Sequence, residues 1–459
     1  MASESDLPEL GLSQGGPTWN HLTGSNNWEG LLDPLNDDLR RLILRCGDFC
    51  QVTYDTFIND PNSAYCGASR YAKSDLLQKT CFPGGADKFQ VVGFLYATAR
   101  VGVPESFLLK SRSREKWDRE SNWIGYVVVS NDEVSKESGR REIYVAWRGT
   151  IRDYEWVDVL GAKLQSAKPL LSDQDDDAPA EDLPSKLVDS TETTKNEGTG
   201  TVFPSWILSC CQPTSKKNPD NADNEDDDDD DEPKIMEGWL TIYTSEDPKS
   251  PFTKLSARTQ LLTKLKQLID QYKDEDISIT FAGHSLGATL SVVSAFDVVE
   301  NLTMEIPISA IVFGCPKVGN KAFKKRFDSY PNLKVLHVRN MIDLIPLYPF
   351  KLLGYVNIGI DLEIDTRKSS FLKDSKNPSD WHNLQAMLHA VNGWKGVKEE
   401  FKLVIKRSIA LVNKSCDFLK EECLVPPSWW VEKNKGMVLN EDGDWVLASP
   451  EEVPTPEFD

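Results

Sequence analysis

A serine flanked by glycines, in Gly283-His284-Ser285-Leu286-Gly287, stands between the apolar run "DISITF" and the Ala/Leu-rich run "ATLSVVSAFDVVE". A serine hydroxyl is a weak nucleophile near neutral pH. It performs acyl transfer when an adjacent base removes its proton and a third group orients that base. The G-x-S-x-G spacing alone is common, and this chain carries it twice. The copy from Gly11 to Gly15 has no strand before it and no helix after it, and reads as a turn. Around Ser285 the preceding run reads as a short buried strand, and the following run places Leu290 and Val293 at helical spacing. Strand, tight turn and helix make a nucleophile elbow. Its serine takes a strained backbone conformation, and Gly283 and Gly287 let strand and helix approach closely. The backbone N–H of Leu286, at the helix start, is then the expected donor to a developing oxyanion.

The histidines are His21, His284, His337, His382 and His389. Around such an elbow the partners follow in the order serine, acid, histidine, which removes His21 and His284. His337 alternates within the strand-like "LKVLHVRN" and reads as packed. His382 and His389 remain, in "SDWHNLQAMLHAVNGW". Ser379 or Asp380 can cap a helix beginning there, which puts His382 in its first turn beside a loop. His389 lies further along among apolar residues. A base that reaches into a cleft belongs at the loop-proximal end, so His382 is favoured and His389 reads as helix packing. For the acid, Asp343 falls just past a strand ending near Arg339, with Pro346 and Pro349 closing the turn. Asp361, Glu363 and Asp365 are rivals by position, but they alternate along "GIDLEIDTRK" and suit a solvated face.

The elements that must hold these groups alternate along the chain. "WIGYVVVS" and "REIYVAW" read as paired strands. "LSARTQLLTKLKQLIDQYKDED" aligns Leu261, Leu262, Leu265, Leu268 and Ile269 on one helical face, and "ISAIVFG" and "LKVLHVRN" flank the helical "NKAFKKRF". Such alternation implies an α/β-hydrolase fold, a mostly parallel sheet covered by helices on both faces. The expected organisation is a flexible segment over 1–27, a catalytic domain over 28–430 and a C-terminal extension over 431–459. An acidic disordered insertion over 171–233 interrupts the domain.

Net charge is −20 over 459 residues, and residues 171–233 hold 19 acidic against 4 basic side chains, with six aspartates in a row from Asp226 to Asp231. That balance argues against nucleic acid and against electrostatic docking on anionic membranes. No run reaches the roughly 18 apolar residues of a membrane span, and "MASESDLPELGL" lacks the basic and apolar regions of a secretory signal. Nine cysteines in so long a chain fit a reducing compartment rather than a disulfide framework. Cys46 and Cys50, four apart on an apparent helix, read as small apolar packing residues rather than metal ligands. A cytoplasmic protein needing no metal or cofactor is expected.

Together "VAWRGT", "GHSLGA", "FGCPKVGN", "RNMIDLIPLYP" and "WHNLQAMLH" resemble the class 3 lipases, and more closely the plant phospholipase A1 group II enzymes. The similarity runs from about Trp28 through "PPSWWVEKNKG", excluding the acidic insertion. The resemblance implies Ser285, Asp343 and His382 as a catalytic triad, with Thr150 and Leu286 around the oxyanion. It implies hydrolysis of the sn-1 ester of glycerophospholipids, met peripherally at a membrane or micelle surface. A galactolipid or triacylglycerol lipase is the alternative enzyme, and a hydrolase-fold ligand receptor the alternative outside catalysis. The resemblance also implies a lid after the "RGT" turn, at "IRDYEWVDVLGAKL".

Overall fold

Strands β1 (Phe89–Thr98), β2 (Ser121–Ser130) and β3 (Arg141–Trp147) form an antiparallel meander. Beyond a ribbon of β4 (Leu164–Ser166) and β5 (Lys234–Met236), strands β6 (Ile277–His284), β7 (Ile308–Phe313), β8 (Leu333–Asn340) and β9 (Ile360–Ile364) continue the sheet parallel to β3. The seven-stranded order is β1-β2-β3-β6-β7-β8-β9. A hairpin of β10 (Met437–Leu439) and β11 (Trp445–Leu447) stands apart from it. This computed structural model describes residues 16–60, 62–63, 65–98, 121–150, 162–172, 231–246, 253–302, 305–430 and 433–448.

Every residue of β3 and β6 is buried, as in strands covered on both faces, which is why apolar residues predominate in both. Side chains alternate between two layers. Val127, Ile143, Val145, Ile279 and Phe281 face one core, and Tyr126, Val128, Tyr144, Ala146 and Ala282 face the other. The second core is filled by helix α1 (Trp19–Leu22) and helix α2 (Asp37–Thr56), whose Asn36 cap accepts from Asp38 and Leu39 N–H. The short helices α3 (Leu76–Lys79) and α4 (Asp132–Ser138) follow. The first core takes α5 (Glu237–Thr244), α6 (Ala257–Gln271), α7 (Leu286–Asn301) and α8 (Lys321–Asp328). Fully buried Asp297 of α7 accepts from Arg258 Nη2 at 2.9 Å, Tyr243 Oη at 2.8 Å and Asn301 Nδ2 at 2.8 Å, tying α5, α6 and α7 together.

Two sequence expectations change. The described part of the N-terminal segment, residues 16–27, is ordered. Trp19 and Leu22 are buried in the second core, and the buried Trp28 indole donates to Leu22 O at 2.8 Å. Two large apolar side chains on one helical turn supply enough buried surface to hold it. The expected helix capped by Ser379 or Asp380 is instead two helices, α9 (Pro378–Trp381) and α10 (Leu384–Gly393). Asn377 caps the first and Asn383 the second, so His382 sits in the break between them. The side-chain amide of Asn383 accepts from Ala386 N–H and starts a new helix there.

The chain divides into a large unit, residues 1–172 and 232–459, and a segment 173–231 of which only Asp231 lies within the described residues. The neck of that segment belongs to the large unit. Leu164 pairs with Met236 and Ser166 with Lys234, and Ala167 N–H donates to Pro233 O at 2.8 Å. With the neck pinned, replacing residues 173–230 by a six-residue Gly/Ser linker shortens the loop by about three halvings and should stabilise the fold by up to about 2 kcal/mol. Denaturant midpoints of the two proteins measure this. A fall of several kcal/mol would show that the segment belongs to the core.

Candidate active site

Strands β3, β6, β7 and β8 run parallel, so the loops leaving them emerge at one edge of the sheet. The register is level there, with Trp147 paired to Gly283, His284 to Phe313, and Phe313 to Val338. Ser285 follows β6 at φ 59 and ψ −125, a conformation that side chains other than hydrogen rarely adopt. Its N–H donates to Phe313 O at 3.0 Å. A β-carbon on Gly283 would fall 2.0 Å from Gly287 O, and one on Gly287 would fall 2.3 Å from Trp147 O. Leu286 is the first residue of α7, where backbone N–H groups lack intrahelical acceptors.

Asp343 lies just beyond β8, its side chain 1% exposed. Oδ1 accepts from Ile345 N–H at 2.9 Å, and Oδ2 accepts from His382 Nδ1 at 2.6 Å. Gly314, at φ +54, packs under this pair. A β-carbon there would fall 2.7 Å from His382 Cε1 and 3.1 Å from Asp343 Oδ2. Gly314 directly follows Phe313, whose carbonyl holds the Ser285 N–H. The structure therefore brings Ser285, Asp343 and His382 to the end of one strand. With Nδ1–H given to the carboxylate, the remaining ring nitrogen of His382 keeps a lone pair, as a base requires.

The backbone on each side of His382 is held by a side chain from another strand end. Asn340, fully buried at the end of β8, donates from Nδ2 to Trp381 O at 2.8 Å and to Thr366 Oγ1 at 3.0 Å. His284 Nε2 lies 2.8 Å from His382 O, and its Nδ1 lies 2.7 Å from the Tyr54 hydroxyl. Burial, with the charge of His382 close by, holds His284 well below the usual imidazole range.

Thr150 closes the turn after β3, half-buried. That turn is braced by Arg148, which is fully buried over the Phe57 ring at 3.9 Å and donates to Trp123 O and Gly149 O at 3.1 and 3.0 Å. Burial lowers the Arg148 guanidinium from its ordinary value to about 10. Residues 151–161 of the expected lid and the serine-glycine copy from Gly11 to Gly15 lie outside the described residues.

The rival residues take other partners. His337 Nδ1 pairs with Asp361 Oδ1 at 3.0 Å, and its Nε2 accepts from Cys315 N–H at 2.9 Å. The face expected to be solvated carries ion pairs instead, Asp361 and Glu363 with Arg339 and Asp365 with Arg367, because opposite charges project from β8 beside β9 and from the next turn. His389 is buried in α10, its Nε2 2.7 Å from Ser369 Oγ. Cys46 and Cys50 are fully buried on α2, and burial pushes both thiols up. Sequence reasoning missed Tyr54, Asn340 and Arg148. Each lies far from Ser285 along the chain; Asn340 and Arg148 fall in motifs quoted for other reasons, and Tyr54 in none.

Residues 144–353 match the family described as lipase (class 3). Phospholipase A1-IIdelta of Arabidopsis thaliana is 58% identical over 442 residues, 96% of this chain and 98% of that protein. Phospholipase A1-II 5 of Oryza sativa subsp. japonica is 46% identical over 462 residues, 99% of this chain and 88% of that protein. Among solved structures, the Lip2 lipase from Yarrowia lipolytica aligns with 72% of this chain and 81% of that one, at 17% identity and a TM-score of 0.39.

Burial, with Arg407 adding its positive charge, pulls His389 down to about 4. In the unfolded chain an imidazole takes its proton near pH 6.5. Between those values the unfolded state holds the extra proton. The stability from a neutral His389 is complete above pH 6.5 and is lost as pH falls toward 4, by roughly 3 kcal/mol. His389→Gln should remove most of that slope. Denaturant midpoints of both proteins at pH 7.5 and 4.5 measure it, and parallel pH dependences would refute the assignment.

Proposed function

The chain belongs to the class 3 lipase family, and from that footing we propose that it is a phospholipase A1 in which Ser285, His382 and Asp343 perform acyl transfer. The observation that carries the reading is the 2.6 Å contact between His382 Nδ1 and buried Asp343 at the strand end that also holds Ser285. His382 takes the Ser285 hydroxyl proton on its second ring nitrogen while Asp343 stabilises the imidazolium that forms. The serine oxygen bonds to the sn-1 carbonyl carbon, and the Leu286 and Thr150 backbone N–H groups receive the oxyanion. Collapse breaks the ester C–O bond, and His382 returns the proton to the departing lysophospholipid. Water, deprotonated by His382, then attacks the acyl-enzyme and releases the fatty acid and Ser285. The nucleophile elbow of Gly283, His284 and Gly287 provides the geometry.

The substrate side of the reading is a phospholipid reached peripherally at a membrane or micelle surface. Among the described residues no helix is long and apolar enough to cross a membrane. A cytoplasmic enzyme is part of the proposal, supported by free thiols at all seven described cysteines.

Ser285→Ala and His382→Ala should each lower kcat by several orders of magnitude, with little further loss in the double variant, since triad members act as a unit. Phosphatidylcholine vesicles carrying a labelled sn-1 chain report both rate and position. Release of labelled fatty acid with an unlabelled lysolipid is expected. Substantial turnover by folded Ser285→Ala would overturn the mechanism. Cleavage of galactolipid or triacylglycerol in preference to phospholipid would overturn the substrate class alone.

A further inference from the structure

His284 lies in the elbow but is excluded from the base role by its place before Ser285, and both its ring nitrogens are engaged. Its Nε2 faces the backbone carbonyl of His382, and a carbonyl only accepts, so Nε2 carries the proton. Nδ1 is then an acceptor, filled by the Tyr54 O–H at 2.7 Å. The Tyr54 oxygen in turn packs against the Gly149 backbone. The fit there is tight, since a β-carbon on Gly149 would fall 2.0 Å from that oxygen and 2.6 Å from His284 O. One run of donors passes from Tyr54, packed against the turn after β3, through His284 to the carbonyl of His382.

We propose that Tyr54 and His284 are positioning residues, a donor chain that holds the His382 loop and the Gly149–Thr150 turn at a fixed separation across the nucleophile elbow. The inference rests on the reading of His382 as the base and Thr150 as an oxyanion donor.

Three physical features support it. The chain is anchored on rigid elements, with Tyr54 near the end of the long helix α2 and His284 as the last residue of β6. It is composed of neutral groups. Burial raises the Tyr54 phenol above its ordinary value and lowers His284, so the tyrosine remains an O–H donor and the imidazole stays uncharged. The His284 and His382 rings lie with centroids 4.5 Å apart. A cation at that distance would oppose the imidazolium that must form on His382, whereas a neutral ring imposes no such penalty. Finally, hydrogen bonds in a row polarise one another in a low-dielectric site, so the links strengthen together.

A chain that merely satisfies buried polar atoms would affect stability and leave turnover unchanged. The two roles separate in the full-length protein with Tyr54→Phe, His284→Gln, His284→Leu and the double variant Tyr54→Phe/His284→Leu. The readouts are kcat and KM on p-nitrophenyl butyrate, the rate of Ser285 labelling by a fluorophosphonate, and denaturant midpoints. Loosening the base loop should lower kcat about 100-fold in His284→Leu while KM moves less than about threefold. Tyr54→Phe should lose about tenfold, the value of one hydrogen bond. His284→Gln, whose amide N–H reaches the same carbonyl, should recover much of the loss. Because the residues act in series, the double variant should match His284→Leu alone. Wild-type kcat in folded Tyr54→Phe, or losses that multiply in the double variant, would overturn the proposal. If His284→Leu does not fold, Tyr54→Phe decides by itself, since it removes one oxygen. Inactive Ser285→Ala and His382→Ala beside fully active Tyr54 and His284 variants would reject this inference and leave the triad standing. Active Ser285→Ala or His382→Ala would instead reject the reading on which it rests.

Discussion

The closest approach in the molecule that matters for chemistry is where the end of β6, the start of α7 and the end of β3 press together. Carbonyl oxygens of Gly287 and Trp147 occupy the space that β-carbons at 283 and 287 would need. Holding a serine at φ 59 in that turn costs about 1–3 kcal/mol and persists only where the surroundings over-determine it. The surroundings do so. β6 is buried along its whole length, and α7 is buried on all sides from Leu286 to Glu300. The far end of α7 is locked by Asp297, whose carboxylate accepts from residues of α5, α6 and α7 itself. Strain at one end of the helix is thus supported by burial along it and an ion pair beyond it.

That apolar scaffold dictates how polar groups at the sheet edge behave. A buried donor or acceptor without a partner costs about 1–3 kcal/mol, and among the described residues side chains stitch the loops at this edge. Asn340, Asp343, His284, Tyr54 and Arg148 all sit at or near zero exposure or with their polar atoms engaged. Two histidines 4.5 Å apart consequently have different partners. His284, between a phenol and a carbonyl, is kept neutral by burial. His382 faces a carboxylate that can offset a proton when one arrives. The asymmetry comes from partners rather than from the side chain, which is the same in both.

Charge is concentrated in one stretch of the chain. Most of the net −20 falls in residues 171–233, which leave and rejoin the large unit through the β4–β5 ribbon rather than through the sheet. At the C-terminal end, Trp429, Trp430 and Trp445 pack edge-to-face or tilted with centroids 4.7 to 6.0 Å apart and hold the β10–β11 hairpin, so residues 433–448 of the extension are part of the packed unit.

The elbow was legible because it is local. Two glycines, a serine, an apolar strand and a largely apolar helix lie in one stretch, and backbone sterics alone decide what such a stretch does. The alternating elements were legible for the same reason, since buried parallel strands are predominantly apolar. Asp343 and His382 could be singled out by chain order and by their places at element ends, although the sequence suggested one helix where Asn377 and Asn383 cap two. Asn caps are weak signals when Ser379 and Asp380 compete beside them. The ordered turn at Trp19–Leu22 was hidden because its burial depends on a core assembled from distant segments. Only the tertiary structure could decide the roles of Asn340 and Tyr54. Asn340 stands in a quoted motif that does not show what its amide would hold, and Tyr54 meets His284 across 230 positions of chain. A hydrogen bond is set by where two backbones end up, and parallel strand ends gather residues that sequence distance keeps apart.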